Sequence, residues 1–250
     1  METTDRSVKE ISLPRLLVLI FLPAALTTMV YIIIGLLTQA VPSFLLFFLC
    51  ALFILFPIET GVILNASKRE YGRPSLKSAF SDHRKMGPLK VFLYGFALFA
   101  FSGIVFVAIS PIEDCLFAPL SSRLARITPE YFKWDNVEYL KQYSKGTILS
   151  TCAVCFALNV IVGPVTEELF FRGYLTSGLS RFGDNAPLIV TVLFSLYHLW
   201  LPLENIFRIF AFFPAAFVAM KKKNIYITIA FHCLCNLFST AGFIISVYRS

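Results

Sequence analysis

The chain has 250 residues, of which 57% are hydrophobic and only 15% are charged. A soluble domain has roughly 25% charged residues. This composition, with a mean hydropathy of +0.74, therefore excludes an ordinary soluble domain and predicts an integral membrane protein. The net charge of +7 would suggest nucleic-acid binding in a soluble chain. In a membrane protein the distribution of positive charge indicates how the chain is oriented in the membrane. We therefore expect a surrounding lipid bilayer and no nucleic-acid partner.

Apolar segments follow one another along the whole chain. Most of them reach the ~20 residues that a spanning helix needs, and the sixth is shorter and carries Arg208. The region around Glu167 adds a short helix between the fourth and the fifth apolar segments. If this short helix enters the bilayer, the chain has eight spans. The predicted fold is all-α: a single membrane domain over residues 1–250, built as a polytopic bundle of seven to eight transmembrane helices with a buried polar site. The segments are 16–37, 41–66, 91–112, 147–165, 186–203, 206–220 and 224–247.

Lysine and arginine are unevenly distributed among the loops. The segment 68–90 contains seven of them and the segment 221–223 three, whereas the hairpin 39–43 contains none. Because cytoplasmic loops carry an excess of these residues, we expect a cytoplasmic N-terminus and an external C-terminus. We expect the membrane to be a bacterial cell membrane.

The six cysteines do not predict a disulfide framework, because five of them lie inside apolar segments. Cys152 and Cys155 have the spacing of a metal or redox motif, but no histidine or other polar ligand flanks them. We interpret both as packing residues, since cysteine behaves as a small hydrophobic side chain.

Two adjacent glutamates, Glu167 and Glu168, follow Gly163 and Pro164 at the end of the fourth segment. Proline is well placed in the first turn of a helix, so the pattern predicts a new helix beginning here. Both glutamates would then lie in its first turns, where the helix macrodipole stabilises negative charge. Glu168 and Arg172 are four residues apart and can pair on one face. Glu167 lies about 100° around the helix and is left free to hold a proton or a water. The alternative is a charge cluster solvated at the membrane interface.

Two of the three histidines, His198 and His232, lie in apolar segments. Phe194 precedes His198 by four residues and Asn236 follows His232 by four, so each pair shares a helix face. A single histidine in an apolar helix is usually a hydrogen-bonded packing residue, but unpaired polar groups in hydrocarbon are costly. We therefore expect these polar side chains to meet Glu167 in one cavity, reached from the cytoplasmic half of the membrane.

The ordered set of motifs resembles a known family. They look like the three motifs of the CPBP family, also called the ABI family, which contains CAAX prenyl endopeptidases of type 2 and bacteriocin-processing enzymes. The resemblance covers about residues 147–243, which we expect to be the catalytic core. The motifs are Glu167-Glu168-x-x-x-Arg172, Phe194-x-x-x-His198 and His232-x-x-x-Asn236.

The resemblance implies a hydrolase, an intramembrane endopeptidase that cleaves with glutamate-activated water. It makes Glu167 the general base and gives His198 a part in holding the water. His232 and Asn236 polarise the scissile carbonyl and stabilise its oxyanion. The substrate is then a peptide or a membrane protein, either a CAAX-type C-terminus or a bacteriocin leader. The sequence does not choose between these substrates and leaves the oligomeric state open. The two remaining residues of the first motif orient the site: Glu168 and Arg172.

Zinc is the alternative to metal-independent chemistry. Glu167, His198 and His232 would supply a catalytic ligand set with a fourth position for water. The His-Glu-x-x-His spacing of zinc proteases is absent, so we expect no cofactor and keep zinc as the second hypothesis.

A scaffold or immunity protein and a proton-relaying transporter are the non-enzymatic alternatives. Glu59 is relevant to the transporter hypothesis, because it is an acid within the second apolar segment and could relay protons. We interpret it as interfacial or paired with an arginine, with a place in the substrate cavity as the alternative. Phe194 is the other residue that we expect to line such a cavity.

Overall fold

The computed structural model describes residues 10–80, 83–134 and 136–249. Regular structure in these ranges is helical, with short helical turns in the loops, which confirms the predicted all-α class. Within the described ranges, each predicted apolar segment coincides with one helix of eleven residues or more. The helices are α1 (Leu13–Leu37), α2 (Ser43–Tyr71), α3 (Pro88–Ile127), α4 (Lys145–Leu175), α5 (Ala186–Leu196), α6 (Asn205–Lys222) and α7 (Tyr226–Arg249).

Five of these helices, α1, α2, α3, α4 and α7, are long and apolar enough to cross a membrane. The other two are less suited by length or charge. Helix α5 has only 11 residues, and α6 has 18 residues that include Arg208, Lys221 and Lys222. Large apolar side chains point outward from the bundle, among them Phe53, at 74% exposed, and Phe238, at 72%. Such surfaces are typical of helices that face lipid.

Helix α4 differs from the sequence prediction, because no new helix begins at Pro164. The helix runs without a break from Lys145 to Leu175. A proline inside a helix removes one hydrogen bond and its ring crowds the carbonyl of the preceding turn. Here the preceding stretch Phe156–Val162 is wound as a π-helix, and this wider turn accommodates the proline. A second π-helical stretch, Glu168–Leu175, follows directly after Glu167.

Two glycines allow other segments to approach α4 closely. A Cβ atom at Gly163 would lie 3.0 Å from the Leu158 carbonyl and 3.4 Å from the Phe56 ring of α2. A Cβ atom at Gly173 would lie 2.6 Å from the Ala79 carbonyl. Larger residues at these positions would push α2 and the 77–79 turn away from the part of α4 that carries the glutamates.

Helix α6 begins on a carboxylate supplied by α3. Glu113 is buried, and its two oxygens accept the backbone N–H groups of Ile206, at 2.8 Å, and Phe207, at 2.9 Å. The first N–H groups of a helix have no partner within the helix, so a carboxylate at this position satisfies two of them and matches the positive end of the helix dipole. Glu113 thereby fixes the start of α6 against α3.

Candidate active site

Glu168 lies at the centre of a buried ionic cluster between α4 and α7. It is fully buried, and its Oε1 lies 3.2 Å from the Arg172 guanidinium and 2.9 Å from Nδ1 of His232. The i,i+4 pair predicted from the sequence is therefore present. Because Arg172 is always protonated, this pair is a fixed charge couple, and Glu168 holds both Arg172 and His232 in position.

Arg172 is supported by aromatic rings. Its guanidinium carbon lies 4.0 Å from the centre of the Phe194 ring and 5.4 Å from that of Phe212. Apart from the ion pair with Glu168, its nitrogens have no hydrogen-bond partner among the described residues. The ring faces supply the remaining stabilisation. The Phe194 ring is fully buried beneath Arg172, and its expected place in a substrate cavity stays a prediction.

Glu167 is nearly buried and is held by two side chains that can release a proton. The Tyr197 hydroxyl donates to its Oε1 at 2.7 Å, and Nε2 of His232 lies 3.7 Å from its Oε2. The sequence prediction that Glu167 is left free is therefore wrong. Tyr197 was missed, although it directly precedes His198. His232 lies between the two glutamates, with one ring nitrogen towards each.

His198 lies just beyond α5, in the connection to α6, because the helix ends at Leu196 instead of continuing to residue 203. The Ser195 hydroxyl contacts the backbone and side-chain oxygens of Asn205, both at 3.0 Å, and closes this connection tightly. Nδ1 of His198 lies 2.7 Å from the Phe194 carbonyl oxygen. A carbonyl can only accept, so Nδ1 carries the proton and Nε2 of the neutral ring is an acceptor.

Asn236 joins α7 to α4. Its amide nitrogen donates to the Asn159 carbonyl at 2.8 Å and lies 3.3 Å from the Asn159 side-chain oxygen. Asn159 in turn donates to Thr240 at 2.9 Å. Asn159 belongs to the first π-helical stretch of α4, where altered backbone bonding leaves its carbonyl available to a neighbouring helix. No sequence motif points to Asn159 or Thr240.

Glu59 is fully buried in α2, and both of its carboxylate oxygens lack a hydrogen-bond partner among the described residues. The interpretation of Glu59 as interfacial or arginine-paired is wrong. The nearest arginine on its own helix is Arg69, ten residues and so about 15 Å further along. Glu59 instead interacts electrostatically with Glu167 and Tyr197, and its place at a substrate cavity stays a prediction.

Arg208 is a second buried cation at the site and was missed as a site residue. Its guanidinium donates to the Ser195 carbonyl at 3.3 Å and to Glu204 at 3.4 Å. It also interacts electrostatically with Glu167 and His198. The arginine was noted in the sequence only because it interrupts a short apolar segment, and nothing in its spacing related it to the motifs.

The three side chains named for zinc are Glu167, His198 and His232. Nδ1 of His232 faces Glu168, and Nδ1 of His198 is bonded to a carbonyl, so Nε2 of each ring is the nitrogen that a zinc ion would use. Across the ranges that the structure describes, no group of three or more His, Cys, Asp or Glu side chains is arranged to hold a metal ion. Zinc stays the second hypothesis.

A helical membrane bundle that buries two glutamates, an arginine and a histidine in one cluster belongs to the class of membrane proteins with an internal ionisable site. A family model described as Type II CAAX prenyl endopeptidase Rce1-like matches residues 149–238, from α4 into α7. The match confirms the resemblance of the motifs, and residues 149–238 of the chain are similar to that family. This similarity supports the conclusion that the protein is a membrane protease of the CAAX type, which is a hydrolase. No curated protein and no solved structure matches the chain.

Proposed function

We propose that the protein is an intramembrane endopeptidase in which Glu167 is the general base towards water. The observation that supports this most directly is the unequal pairing of the two glutamates. Glu168 is neutralised by Arg172 at 3.2 Å, whereas Glu167 contacts Tyr197 and His232, whose protons can move. A general base must reach the proton that it removes and be able to accept it. Glu167 meets this requirement and Glu168 does not.

In the proposed reaction, Glu167 takes a proton from the water while the water oxygen attacks the scissile carbonyl carbon. Nε2 of His198 accepts the other hydrogen of the water and orients it. His232, when both of its nitrogens are protonated, donates from Nδ1 to Glu168 and from Nε2 to the developing oxyanion. One such donor contributes about 3 kcal/mol to the transition state. Asn236 is the second donor once its amide releases Asn159.

The proposed substrate is a peptide with a CAAX-type C-terminus in the bilayer, cleaved by a single membrane domain whose catalytic core is residues 147–243. The family match at residues 149–238 favours this substrate over a bacteriocin leader. The large apolar surfaces of the outer helices, such as Val107 of α3 at 74% exposed, fit a site that a membrane-anchored peptide reaches laterally from lipid.

The test is proteolysis by the purified protein in lipid nanodiscs, with a farnesylated CAAX-type peptide and its unprenylated twin as probes. We expect Glu167→Gln to lose about 10³-fold in kcat, within the range for removal of a general base, while folding normally. Glu113→Gln is the matched control, because it makes the same change in another buried glutamate. Turnover by Glu167→Gln at the wild-type rate would remove Glu167 as the base. Absence of cleavage by the wild type would favour a scaffold.

Metal dependence is measured in the same assay. We expect a zinc chelator to leave the rate unchanged and elemental analysis to find less than one zinc per chain. Loss of activity on chelation, with recovery on addition of zinc, would replace the glutamate mechanism by a metal mechanism. Glu167, His198 and His232 would then be the first ligands to test.

We also propose that the N-terminus is cytoplasmic and the C-terminus external, so that the glutamates lie towards the cytoplasmic end of α4. The basic residues at 68–90 and 221–223 support this orientation. In a cysteine-free background, Lys222→Cys should react with an impermeant thiol reagent only after the cells are opened. Labelling of this position in intact cells would reverse the topology.

A further inference from the structure

Glu59 is a buried acid that the proposed mechanism does not use. Neither of its oxygens has a hydrogen-bond partner among the described residues, and its side chain is fully buried. Every other glutamate at the site has a charged or hydrogen-bonding partner, as Glu167 and Glu168 show. An ionised carboxylate without a partner is too costly to bury, and such a group takes up a proton instead. The Glu59 carboxyl is therefore neutral.

Helix packing brings Glu59 to the side of α2 that faces Glu167. Residues 43–50 of α2 contact residues 145–155 of α4, and residues 56–71 contact 163–175, so the two helices run in the same direction. They approach closely where the Phe56 ring meets Gly163. Glu59 is three residues beyond Phe56, and Glu167 is four beyond Gly163. Both spacings return to the same helix face, so the two acids lie about one turn past the contact on facing surfaces.

The surroundings determine which of the two acids is ionised. The Tyr197 hydroxyl donates to Glu167, Nε2 of His232 lies 3.7 Å from it, and the Arg172 guanidinium adds positive charge nearby. Among the described residues, Glu59 interacts electrostatically with Glu167 and Tyr197, and neither is a cation. Two carboxyls that share a dry site do not both ionise readily, and one keeps its proton. Glu167 is thus the base, and Glu59 holds the proton.

We propose that Glu59 is the general acid that protonates the leaving amine of the cleaved peptide bond. This rests on the proposed endopeptidase function. Glu167 takes one proton from water, and the resulting hydroxide forms the new bond to the carbonyl carbon. As the carbon–nitrogen bond breaks, its electron pair goes to the nitrogen, which receives the proton of Glu59. Proton transfer from Glu167 to Glu59 then restores both acids, and the net reaction is hydrolysis.

The test compares two farnesylated CAAX-type probes that differ only at the scissile bond, one an amide and the other an ester. An alkoxide depends much less than an amine on protonation as it leaves. We expect Glu59→Gln to lower kcat on the amide about 100-fold, the order of one acid–base contribution, with KM unchanged. Its loss on the ester should stay below about threefold, a small part of that contribution. Glu59→Asp keeps a proton and should recover part of the amide rate.

Two controls separate this inference from the proposed function. Glu167→Gln should fail on both probes, because both reactions need activated water. If Glu113→Gln lowers kcat at all, it should lower kcat by the same factor on the amide and the ester probes. Equal losses on amide and ester for Glu59→Gln would overturn the general-acid role and leave Glu167 as the base. Normal amide cleavage by Glu59→Gln would also overturn it.

Infrared spectroscopy tests the protonation state without a substrate. A protonated carboxyl has a carbonyl band distinct from that of a carboxylate. The difference spectrum between wild type and Glu59→Gln in nanodiscs should show this band in the wild type only. Glu113→Gln should not remove it, because both oxygens of Glu113 already accept backbone N–H groups. A wild-type spectrum without a band sensitive to Glu59 would overturn the inference, even if neither probe is cleaved.

Discussion

Two regions of the bundle bury glutamates and satisfy them in different ways. At the start of α6, Glu113 accepts two backbone N–H groups, at 2.8 and 2.9 Å. In α4, Glu167 and Glu168 are held by side chains, with Tyr197 at 2.7 Å from the first and His232 at 2.9 Å from the second. Backbone amides cannot give up their protons, whereas a tyrosine and a histidine can.

The difference shows why burial alone does not identify a catalytic acid. Glu113 caps a helix, and its backbone partners allow no other role. The α4 cluster combines a fixed ion pair, Glu168 with Arg172, with a second carboxylate whose partners exchange protons. Catalytic groups are expected where such environments push neighbouring acids towards different protonation states. Substitutions in the two regions should therefore have separable effects on stability and on rate.

The largest stability effect is expected for Glu168→Gln. This change leaves Arg172 buried without a countercharge and weakens the anchor of His232. Removal of one partner of a buried ion pair costs about 3–5 kcal/mol. Glu167→Gln removes no ion pair with an arginine and should cost clearly less. Thermal unfolding of the two variants in the same detergent measures the difference. Equal melting temperatures would show that the Glu168–Arg172 pair does not stabilise the bundle.

Helix positions and local pairs could be predicted from the sequence, because both depend on short-range periodicity. The apolar segments became helices, and the four-residue spacing of Glu168 and Arg172 became an ion pair. Contacts between distant segments could not be predicted. The hydrogen bond from Tyr197 to Glu167 joins residues 30 apart, and Asn236 reaches Asn159 across 77 residues.

Helix packing also overrode two plausible sequence interpretations. Gly163 and Pro164 predict a break, but the π-helical stretch before them lets α4 continue. A helical period of 3.6 that turns Glu167 towards the site would leave Phe170 and Phe171 facing outward or towards a substrate, but both are fully buried. A π-helical turn changes which residues share a face, so the faces of residues in the π-helical stretch Glu168–Leu175 could not be deduced from a period of 3.6.

The next largest effect should be seen at Glu113, in stability and not in rate. Glu113→Ala leaves the Ile206 and Phe207 N–H groups without their acceptor. Loss of a helix cap costs up to about 2 kcal/mol. We expect a cost near this upper value, because Glu113 caps two N–H groups. Chemical unfolding should show this loss, while kcat per folded molecule stays at the wild-type value. A fall in kcat comparable to that of Glu167→Gln would place Glu113 in the catalytic region and remove the contrast between the two sites.

The smallest effect is expected for Tyr197→Phe, which removes one hydrogen bond and should lower both stability and rate. The ring keeps its edge contacts with Phe171, at 4.9 Å, and Trp200, at 5.2 Å, so packing is retained. The lost bond is one to a charged acceptor, worth about 1.5 kcal/mol or slightly more, which corresponds to roughly a tenfold fall in kcat/KM. Steady-state cleavage of the farnesylated probe measures this change, with the melting temperature as the control for folding. An unchanged rate would mean that the hydrogen bond from Tyr197 does not tune the base. A loss as large as that of Glu167→Gln would make Tyr197 itself an essential proton carrier. A tenfold loss would mean that Tyr197 orients Glu167. The partner of Glu167 would then be a side chain that adjusts the base, whereas the backbone amides that contact Glu113 only anchor it.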